Sequence, residues 1–217
     1  MNVERARFNM IEQQIRTWEV LDQQVLDLMS QVPREEFVPA PYRDLAFADT
    51  CIPLDHGQCM MLPRVEARML QALQIEPDER VLEVGTGSGF VTALLARLGA
   101  HVTSIEIHDS LRSDAQRKLE AHGIGNLELH TGDASHGWQQ GAPYDAIAVT
   151  GSVPVLDARF QNDLAIGGRL FVITGQEPAM EALLITRTSE SQWATDSLFE
   201  TVLPPLVGVE KPERFVL

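Results

Sequence analysis

The chain has 217 residues, of which 44% are hydrophobic and 22% are charged, a composition typical of one soluble globular domain with a good core. Its formal net charge of −14 argues against a protein that holds nucleic acid through the phosphates, because a broad basic surface is missing. The cysteines, Cys51 and Cys59, are too few for a disulfide framework and have no companion cluster of the zinc-binding type. No apolar run reaches the ~18 residues that a membrane span needs, so we expect a cytoplasmic protein that binds neither membranes nor nucleic acid.

The N-terminal part of the chain predicts helices separated by irregular segments. The predicted helices cover residues 4–16, residues 22–31 and a segment that begins at Pro63. Asp22 is the predicted N-cap of the second helix, and a proline suits the first helical position of the third. The prolines of the segment 32–39 predict that no further helix follows there, and residues 40–60 have little periodicity.

From Arg80 onward, predicted strands alternate with predicted helices. The strands cover residues 80–84, 101–107, 127–131, 146–150 and 169–174. The helices cover residues 90–98, 110–122 and 155–164, with Asp109 capping the second and Gly167-Gly168 forming the turn after the third. This alternation predicts an α/β fold with a doubly wound, mostly parallel sheet. Residues 183–187 and 197–202 read as two further strands joined by a polar turn, which predicts an antiparallel C-terminal edge.

The most informative stretch is V-L-E-V-G-T-G-S-G-F over residues 81–90, which predicts a buried strand, a glycine turn and the start of a helix. Glycines let the backbone approach a ligand where a Cβ would collide, and the helix N-terminus offers free N–H groups. Glu106 follows about 20 residues later, near the end of the next strand, where a carboxylate can accept hydrogen bonds from ribose hydroxyls. The combination predicts a nucleoside cofactor.

Two side chains narrow the class of cofactor. A dinucleotide motif has a third small residue, whereas this chain has Phe90 at that position. Glu83 lies in the strand before the turn, where a carboxylate would repel a pyrophosphate and attract an ammonium or sulfonium group. S-adenosylmethionine carries both cations and no phosphate, so it is the predicted cofactor. The alternative is a glycine-rich turn that binds no ligand, because short glycine motifs also occur by chance in sequences without such a site.

Ligands in such sheets bind outside the carboxyl ends of the strands, and these ends supply the rest of the predicted site. Asp133 is placed to accept the adenine amino group, although the pair Gly132-Asp133 also suits a turn. The predicted cofactor-binding residues are Glu83, Gly85, Thr86, Gly87, Ser88, Gly89, Glu106, Ile107, Asp133, Ala134 and Thr150. No metal site is predicted.

Several segments outside the glycine turn form a second pattern. Residues 32–38 read V-P-R-E-E-F-V, and Gly57-Gln58 is followed by Pro63. Further segments of this pattern are Ile52-Pro53, Ala67-Arg68-Met69, Gly132-Asp133, residues 143–147, Val149-Thr150, Gly167-Gly168 and residues 203–207. Together with the glycine turn, they make the chain resemble the protein-L-isoaspartate O-methyltransferase family from about Val25 to Leu206.

The resemblance implies a Rossmann-like class I methyltransferase fold in one domain, with residues 1–62 on the acceptor side and residues 63–217 as the cofactor-binding core. It also implies transfer of a methyl group from S-adenosylmethionine to the α-carboxylate of isoaspartyl residues in damaged proteins or peptides. The ester closes to a succinimide, which reopens partly as normal aspartate. A carboxylate of pKa ~3.5 is ionised at neutral pH, so this reaction requires no general base. A monomer and a homodimer are both compatible with the sequence.

The chain departs from the family pattern at Met61. The family has Thr-Ile-Ser, then one residue and proline, and the serine contributes to activity; this chain has C-M-M-L-P over residues 59–63. A thioether cannot donate a hydrogen bond, and a thiol donates weakly. Losing one donor to a charged group costs about 2–4 kcal/mol, or roughly a hundredfold in rate.

Three interpretations of this departure stay open. In the first, another group, such as His56, Arg64 or a backbone N–H, holds the acceptor carboxylate. In the second, Met60-Met61-Leu62 forms an apolar wall for a different acceptor. In the third, the domain binds the cofactor without catalysing methyl transfer. The residues predicted for the acceptor site are therefore Met61, Cys59 and His56.

Overall fold

The structure is a computed structural model, and it describes residues 2–209. Its α-helices are α1 (Val3–Met10), α2 (Gln23–Gln31), α3 (Arg34–Phe37), α4 (Pro63–Leu73), α5 (Phe90–Leu98), α6 (Asp109–Ala121) and α7 (Ala158–Asn162). Its strands are β1 (Ile52–Pro53), β2 (Cys59–Met60), β3 (Arg80–Val84), β4 (His101–Glu106), β5 (Leu127–Thr131), β6 (Tyr144–Val153), β7 (Leu164–Gln176), β8 (Ala179–Ser189) and β9 (Gln192–Glu200). No described helix is long and apolar enough to cross a membrane.

Strands β3 to β9 form one sheet in the order β5-β4-β3-β6-β7-β8-β9. The pairs from β5 to β7 are parallel, and β8 and β9 add the antiparallel edge. The predicted doubly wound, mostly parallel α/β fold with an antiparallel C-terminal edge is therefore confirmed. The chain order reverses direction between β3 and β6, and such a switch point opens a crevice at the carboxyl ends of the strands.

Local signals correctly identify two helix starts. The Asp22 side chain accepts hydrogen bonds from the backbone N–H groups of Gln24 and Val25, so it caps α2 as predicted. Pro63 is the first residue of α4, also as predicted. The apolar face of α4 is buried, and helices α2 and α4 pack against each other.

The prediction of one regular helix over residues 4–16 is wrong in its geometry. The α-helix ends at Met10, residues Ile11–Ile15 form a π-helical turn, and Arg16–Trp18 form a 3₁₀ turn. Ile11 and Ile15 in the π-helical turn are both buried, so the departure from α-helical geometry occurs where this segment packs against the core.

The segment after α2 is more helical than predicted. Helix α3 begins directly after Pro33, so this proline does not prevent a helix. A proline ring is tolerated at the start of a helix, where no intrahelical N–H is needed. A 3₁₀ helix follows over Ala40–Leu45. Strands β1 and β2 then form a short antiparallel hairpin in which Pro53 lies opposite Cys59.

Two details of the C-terminal half also differ from prediction. Helix α6 begins at Asp109, and its N-cap residue is His108; the Asp109 carboxylate instead accepts hydrogen bonds from Thr131 and Arg112. Gly167-Gly168 lie inside β7, not in a turn after a helix, because the register of β6 and β7 shifts there. A Cβ on Gly168 would lie 2.9 Å from the backbone oxygens of Ala165 and Tyr144, which explains the glycine.

The remaining predicted bounds change by a few residues. The strand predicted over 101–107 ends at Glu106, and strands β6, β7 and β8 extend beyond both of their predicted ends. Strand β9 begins before its predicted start at residue 197 but ends at Glu200, before the predicted end at residue 202. The helix predicted over 155–164 is shorter in the structure, where α7 begins after the Asp157 cap and ends at Asn162.

Candidate active site

The glycine turn begins at Gly85, directly after β3. Its backbone has φ +101°, and a Cβ there would lie 2.5 Å from the Thr150 hydroxyl oxygen. That hydroxyl donates to the carbonyl oxygens of Val84, at 2.9 Å, and Gly85, at 2.6 Å. Only glycine fits this position, because the conformation and the close approach of β6 both exclude a side chain. Thr150 therefore fixes the start of the turn at the switch point between β3 and β6.

Glu106 fixes the middle of the same turn. Its carboxylate is 5% exposed, and its oxygens accept the backbone N–H groups of Gly87 at 2.8 Å and His108 at 3.0 Å. An ionised carboxylate has about four lone-pair sites, so two acceptor positions remain for ligand hydroxyls. Glu106 thus keeps free acceptor capacity, and its contact with a ribose stays a prediction.

Adjoining cavities lie at the carboxyl ends of β3, β4, β5 and β6 and share Gly85 in their walls. The residues from the sequence prediction that line them are Gly85, Thr86, Gly87, Ser88, Glu106, Ile107, Asp133, Ala134 and Thr150. Ile107, Asp133 and Ala134 line one end, next to Glu106. Cys59 and Met61 line the other end, beyond the glycine turn. The structure therefore brings most of the predicted cofactor and acceptor residues into the walls of these adjoining cavities, together called the crevice.

Glu83 does not line this crevice. Its side chain is fully buried, and one carboxyl oxygen accepts the hydroxyls of Thr92 and Ser104, each at 2.5 Å. Burial raises the pKa of Glu83 to about 8, against the lowering effect of these two hydroxyls. Direct attraction of cofactor cations by Glu83 stays a prediction, and the described geometry instead places a mostly protonated acid beside α5 and β4 at neutral pH.

Gly89 is the other predicted cofactor residue outside the cavity walls. It is the N-cap residue of α5, with φ +85°, and a Cβ there would lie 3.0 Å from the Cβ of Ala115. Its smallness therefore permits close packing of α5 against α6, and its role as a direct cofactor contact stays a prediction.

The alternative groups proposed for the acceptor carboxylate lie elsewhere. His56 is exposed, its ring stacks on that of His108 with centroids 4.1 Å apart, and its Nε2 lies 2.8 Å from the Ser110 hydroxyl. Arg64 pairs with Asp49, and its guanidinium lies 4.2 Å from the ring centroid of Trp18. Neither His56 nor Arg64 is among the residues that line the crevice.

The acceptor end of the crevice is largely apolar. Met60 is 5% exposed and Met61 is 3% exposed, and both line the cavity with Phe90 and Val91. The carboxyl group in this wall belongs to Glu66, which is fully buried and paired with Arg34. An acceptor group would therefore meet thioether and aromatic surface there, with the charge of Glu66 compensated by Arg34.

The two thiols lie next to each other on the hairpin of β1 and β2. Hydrogen bonding from the Cys59 thiol lowers the pKa of Cys51 to about 7, and the same bond together with burial raises the pKa of Cys59. Cys59 lines the crevice, so this pair borders the acceptor end.

Sequence reasoning missed the segment that covers the crevice from the C-terminal side. Leu203–Leu206 line it, and this segment is held by Ser152, whose hydroxyl donates to the carbonyl of Leu203 at 2.7 Å. The Leu206 N–H donates to the Ser152 carbonyl at 2.9 Å. These residues contributed to the family resemblance, but no local pattern indicates that a segment after the last strand returns to the switch point. Leu54, Gln58 and Glu66 also line the crevice without having been predicted.

Within residues 2–209, no cluster of three or more His, Cys, Asp or Glu side chains has the arrangement of a metal site.

Comparisons with known proteins agree with this geometry. The family model for protein-L-isoaspartate(D-aspartate) O-methyltransferase (PCMT) matches residues 5–211. Protein-L-isoaspartate O-methyltransferase 1 of Rhodopseudomonas palustris (strain HaA2) is 43% identical over 94% of this chain and 84% of that protein. The enzyme of the same name from Koribacter versatilis (strain Ellin345) is 40% identical over 95% of this chain and 91% of that protein.

Solved structures show the same fold. A putative protein-L-isoaspartate O-methyltransferase from Plasmodium falciparum, in complex with S-adenosyl-L-homocysteine, matches with a TM-score of 0.80 and 20% identity over 95% of this chain and 98% of that one. A protein-L-isoaspartate O-methyltransferase structure matches with a TM-score of 0.77 and 24% identity over 94% of this chain and 66% of that one. The family match and the curated relatives cover nearly the whole chain, which therefore belongs to the protein-L-isoaspartate (D-aspartate) O-methyltransferase family.

Proposed function

We propose that this chain is an S-adenosylmethionine-dependent methyltransferase that esterifies the α-carboxylate of isoaspartyl residues in proteins and peptides. The observation that carries the proposal is that adjoining cavities of the crevice share wall residues. Gly85, Gly87 and Thr150 line both the part next to Glu106 and the part next to Met61. A donor held at the glycine turn and an acceptor held at Met61 would therefore be neighbours. The names of the curated relatives support the choice of acceptor.

The residues at the carboxyl ends of the strands fit the cofactor. Gly85 admits the close approach of the Thr150 hydroxyl, which fixes the turn and which a Cβ would exclude. Glu106 keeps two acceptor positions for the ribose hydroxyls. Asp133, Ile107 and Ala134 would enclose the adenine. When bound, the cofactor supplies an electrophilic methyl group on a sulfonium.

The chain's own contribution is orientation, exclusion of water and control of charge. The acceptor carboxylate is ionised at neutral pH and needs no general base. Met60, Met61 and Phe90 provide an apolar wall on which an attacking carboxylate would lose water. Burial raises the pKa of Glu66 against the lowering effect of the paired Arg34, and burial also raises the pKa of Glu83, which stays mostly protonated. An anionic acceptor therefore meets little electrostatic repulsion at this end.

The identity of Met61 bears on the rate of methylation that we expect. Its side chain offers no hydrogen-bond donor, and His56 and Arg64 do not line the crevice. Backbone N–H groups and the polar side chains of Gln58, Thr86 and Ser88 in the crevice walls are then left to orient the carboxylate. We therefore expect slow turnover compared with a serine at this position.

A second candidate keeps the same donor and changes the acceptor. The specific observation in its favour is the pair of buried methionines, because flexible thioether side chains adapt to apolar acceptors of irregular shape. A protein that binds the cofactor without turnover is the third candidate, and it shares the cofactor site with the other two.

One experiment tests the proposed acceptor and the proposed cofactor separately. Calorimetry with S-adenosylhomocysteine first measures the affinity of the cofactor site. The protein is then incubated with methyl-labelled S-adenosylmethionine and an isoaspartyl peptide, and in a parallel sample with the same peptide containing normal aspartate. The proposal predicts micromolar affinity and base-labile label on the isoaspartyl peptide alone. Binding without labelled peptide would reject this acceptor, and absence of binding would reject the cofactor. Gly85→Val serves as the control because its side chain would meet Thr150.

The proposed function also implies the partners and the location of the protein. The expected partners are proteins or peptides that carry isoaspartyl residues, with no nucleic acid or membrane partner, in the cytoplasm. Monomer and homodimer both stay open, and light scattering at the concentration used for the assay would distinguish them.

A further inference from the structure

Arg34 is the largest fully buried polar side chain of the described residues, and its guanidinium is surrounded by groups from distant parts of the chain. Its Nε donates to the carbonyl of Ala46 at 2.9 Å, and one terminal nitrogen donates to the carbonyl of Met61 at 2.8 Å. The other terminal nitrogen pairs with the Glu66 carboxylate. One rigid planar group thus fixes three acceptors.

These contacts join the two halves of the crevice. Met61 and Glu66 line its acceptor end. Phe90 lines it too, directly after the glycine turn, and the Arg34 guanidinium lies 4.7 Å from the centroid of its ring. Arg34 therefore contacts the acceptor segment through hydrogen bonds and the cofactor turn through a cation–π contact.

A role limited to stability accounts poorly for this arrangement. A buried ion pair recovers little more than the cost of removing its charges from water, and apolar residues of similar volume often serve stability equally well. What apolar residues cannot do is hold a backbone carbonyl at a fixed place. The fork of Arg34 does this for Met61, whose own side chain has no hydrogen bond to fix it.

We propose that Arg34 is a positioning residue for methyl transfer, which holds the backbone of Met61 at a fixed distance from the glycine turn, with Glu66 as its counter-ion. This inference rests on the proposed function. A displacement of about 1 Å between donor and acceptor can cost about a hundredfold in rate. Release of the Met61 carbonyl should therefore lower kcat, while Glu106 and the glycine turn still bind the cofactor.

The test compares two double variants. In R34M/E66L both charges are removed together, because R34M alone would leave Glu66 buried without a counter-ion. The matched control is R169M/E79L: Arg169 also pairs with a glutamate and donates to backbone carbonyls, those of Leu73 and Gln74. Its partners, unlike Met61 and Glu66, do not line the crevice. R34K keeps the charge next to Glu66 and loses the planar fork.

Three measurements are made on the wild type and each variant. Calorimetry with S-adenosylhomocysteine should give a Kd within about threefold of the wild type for R34M/E66L, whereas kcat for the isoaspartyl peptide should fall about a hundredfold. Amide exchange of the peptide that covers residues 58–62 should quicken about tenfold or more in R34M/E66L. R34K should fold and still show a reduced kcat, and R169M/E79L should match the wild type in kcat and in this exchange.

Wild-type kcat in R34M/E66L or in R34K would overturn the inference, as would an equal loss of kcat in R169M/E79L. If the wild type methylates no isoaspartyl peptide, the proposed function fails, and the exchange of residues 58–62 still decides whether Arg34 holds this segment. Unchanged exchange in folded R34M/E66L would then overturn it.

Discussion

The carboxylate of Glu106 accepts the backbone N–H of Gly87 at 2.8 Å, so an acid at the end of β4 fixes the glycine turn that follows β3. The turn is also tied to β6, because the Thr150 hydroxyl donates to the carbonyl of Gly85 at 2.6 Å. The proposed cofactor site is thus preorganised by contacts between three neighbouring strands. This arrangement places the remaining acceptor positions of Glu106 toward the crevice that the turn lines.

Replacing Glu106 by glutamine should weaken cofactor binding about 10- to 100-fold, because a charge-assisted hydrogen bond contributes about 1.5–3 kcal/mol. Calorimetry with S-adenosylhomocysteine measures the effect. Glu128→Gln, which removes a carboxylate from β5 outside the crevice, is the control. An E106Q protein with wild-type affinity would show that Glu106 does not contact the ribose.

Replacing Met61 by serine should raise isoaspartyl methylation about 10- to 100-fold, because a hydroxyl can donate to the acceptor carboxylate. The variant should also lose about 2–5 kcal/mol of unfolding free energy, since Met61 is 3% exposed and its removal leaves a cavity. Met61→Ala leaves a similar cavity without the hydroxyl and is the matched control. Equal rates for M61S and M61A would mean that the missing donor does not limit the reaction.

Glu83 should make the protein less stable as pH rises toward 8. Burial raises its pKa from 4.5 to about 8, so between these values the folded chain keeps a proton that the unfolded chain releases. The unfolding free energy of the wild type should therefore fall across this window. Glu83→Gln is neutral and keeps an oxygen for Thr92 and Ser104, so it should lack this decrease.

Urea unfolding at pH 5 and pH 8 measures this difference. Relative to the wild type, E83Q should gain stability between the two pH values, on the order of a few kcal/mol. If both proteins change equally with pH, Glu83 is ionised in the folded state, and its predicted attraction of cofactor cations regains support.

Cys51 should react with iodoacetamide before Cys59 at pH 7.5. Hydrogen bonding from Cys59 lowers the pKa of Cys51 to about 7, and the thiolate is the reactive form. Cys59→Ala removes this bond, so the pH midpoint for alkylation of Cys51 should move up toward 9, the ordinary value. Peptide mass spectrometry from pH 6 to pH 10 follows both thiols. Faster alkylation of Cys59, or an unchanged midpoint in C59A, would contradict the hydrogen bond from Cys59 as the cause of the lowered pKa of Cys51.

The sheet and the cofactor end were predictable because their signals are local. The glycine turn and Glu106 each follow a strand that hydrophobic patterning identifies, and the rule for carboxyl ends brings them together. Gly167-Gly168 misled the prediction, since two glycines suit a bulge inside β7 as well as a turn.

The acceptor end depends on contacts between residues far apart in sequence. Arg34 reaches Met61 and Glu66, and nothing in the local pattern around residue 34 specifies those partners. Burial, not sequence position, decides that Glu83 faces Thr92 and Ser104 instead of the crevice. The fold-back of Leu203–Leu206 onto Ser152 is likewise set by packing at the switch point.

The most direct test of the account is the ratio of initial methylation rates for an isoaspartyl peptide and its aspartyl twin, measured by mass spectrometry of the intact methyl ester. The wild type should add one methyl group to the isoaspartyl peptide alone, slowly, and Gly85→Val should abolish the reaction. An equal rate on both peptides, or no ester from protein that binds S-adenosylhomocysteine, would contradict the proposed function.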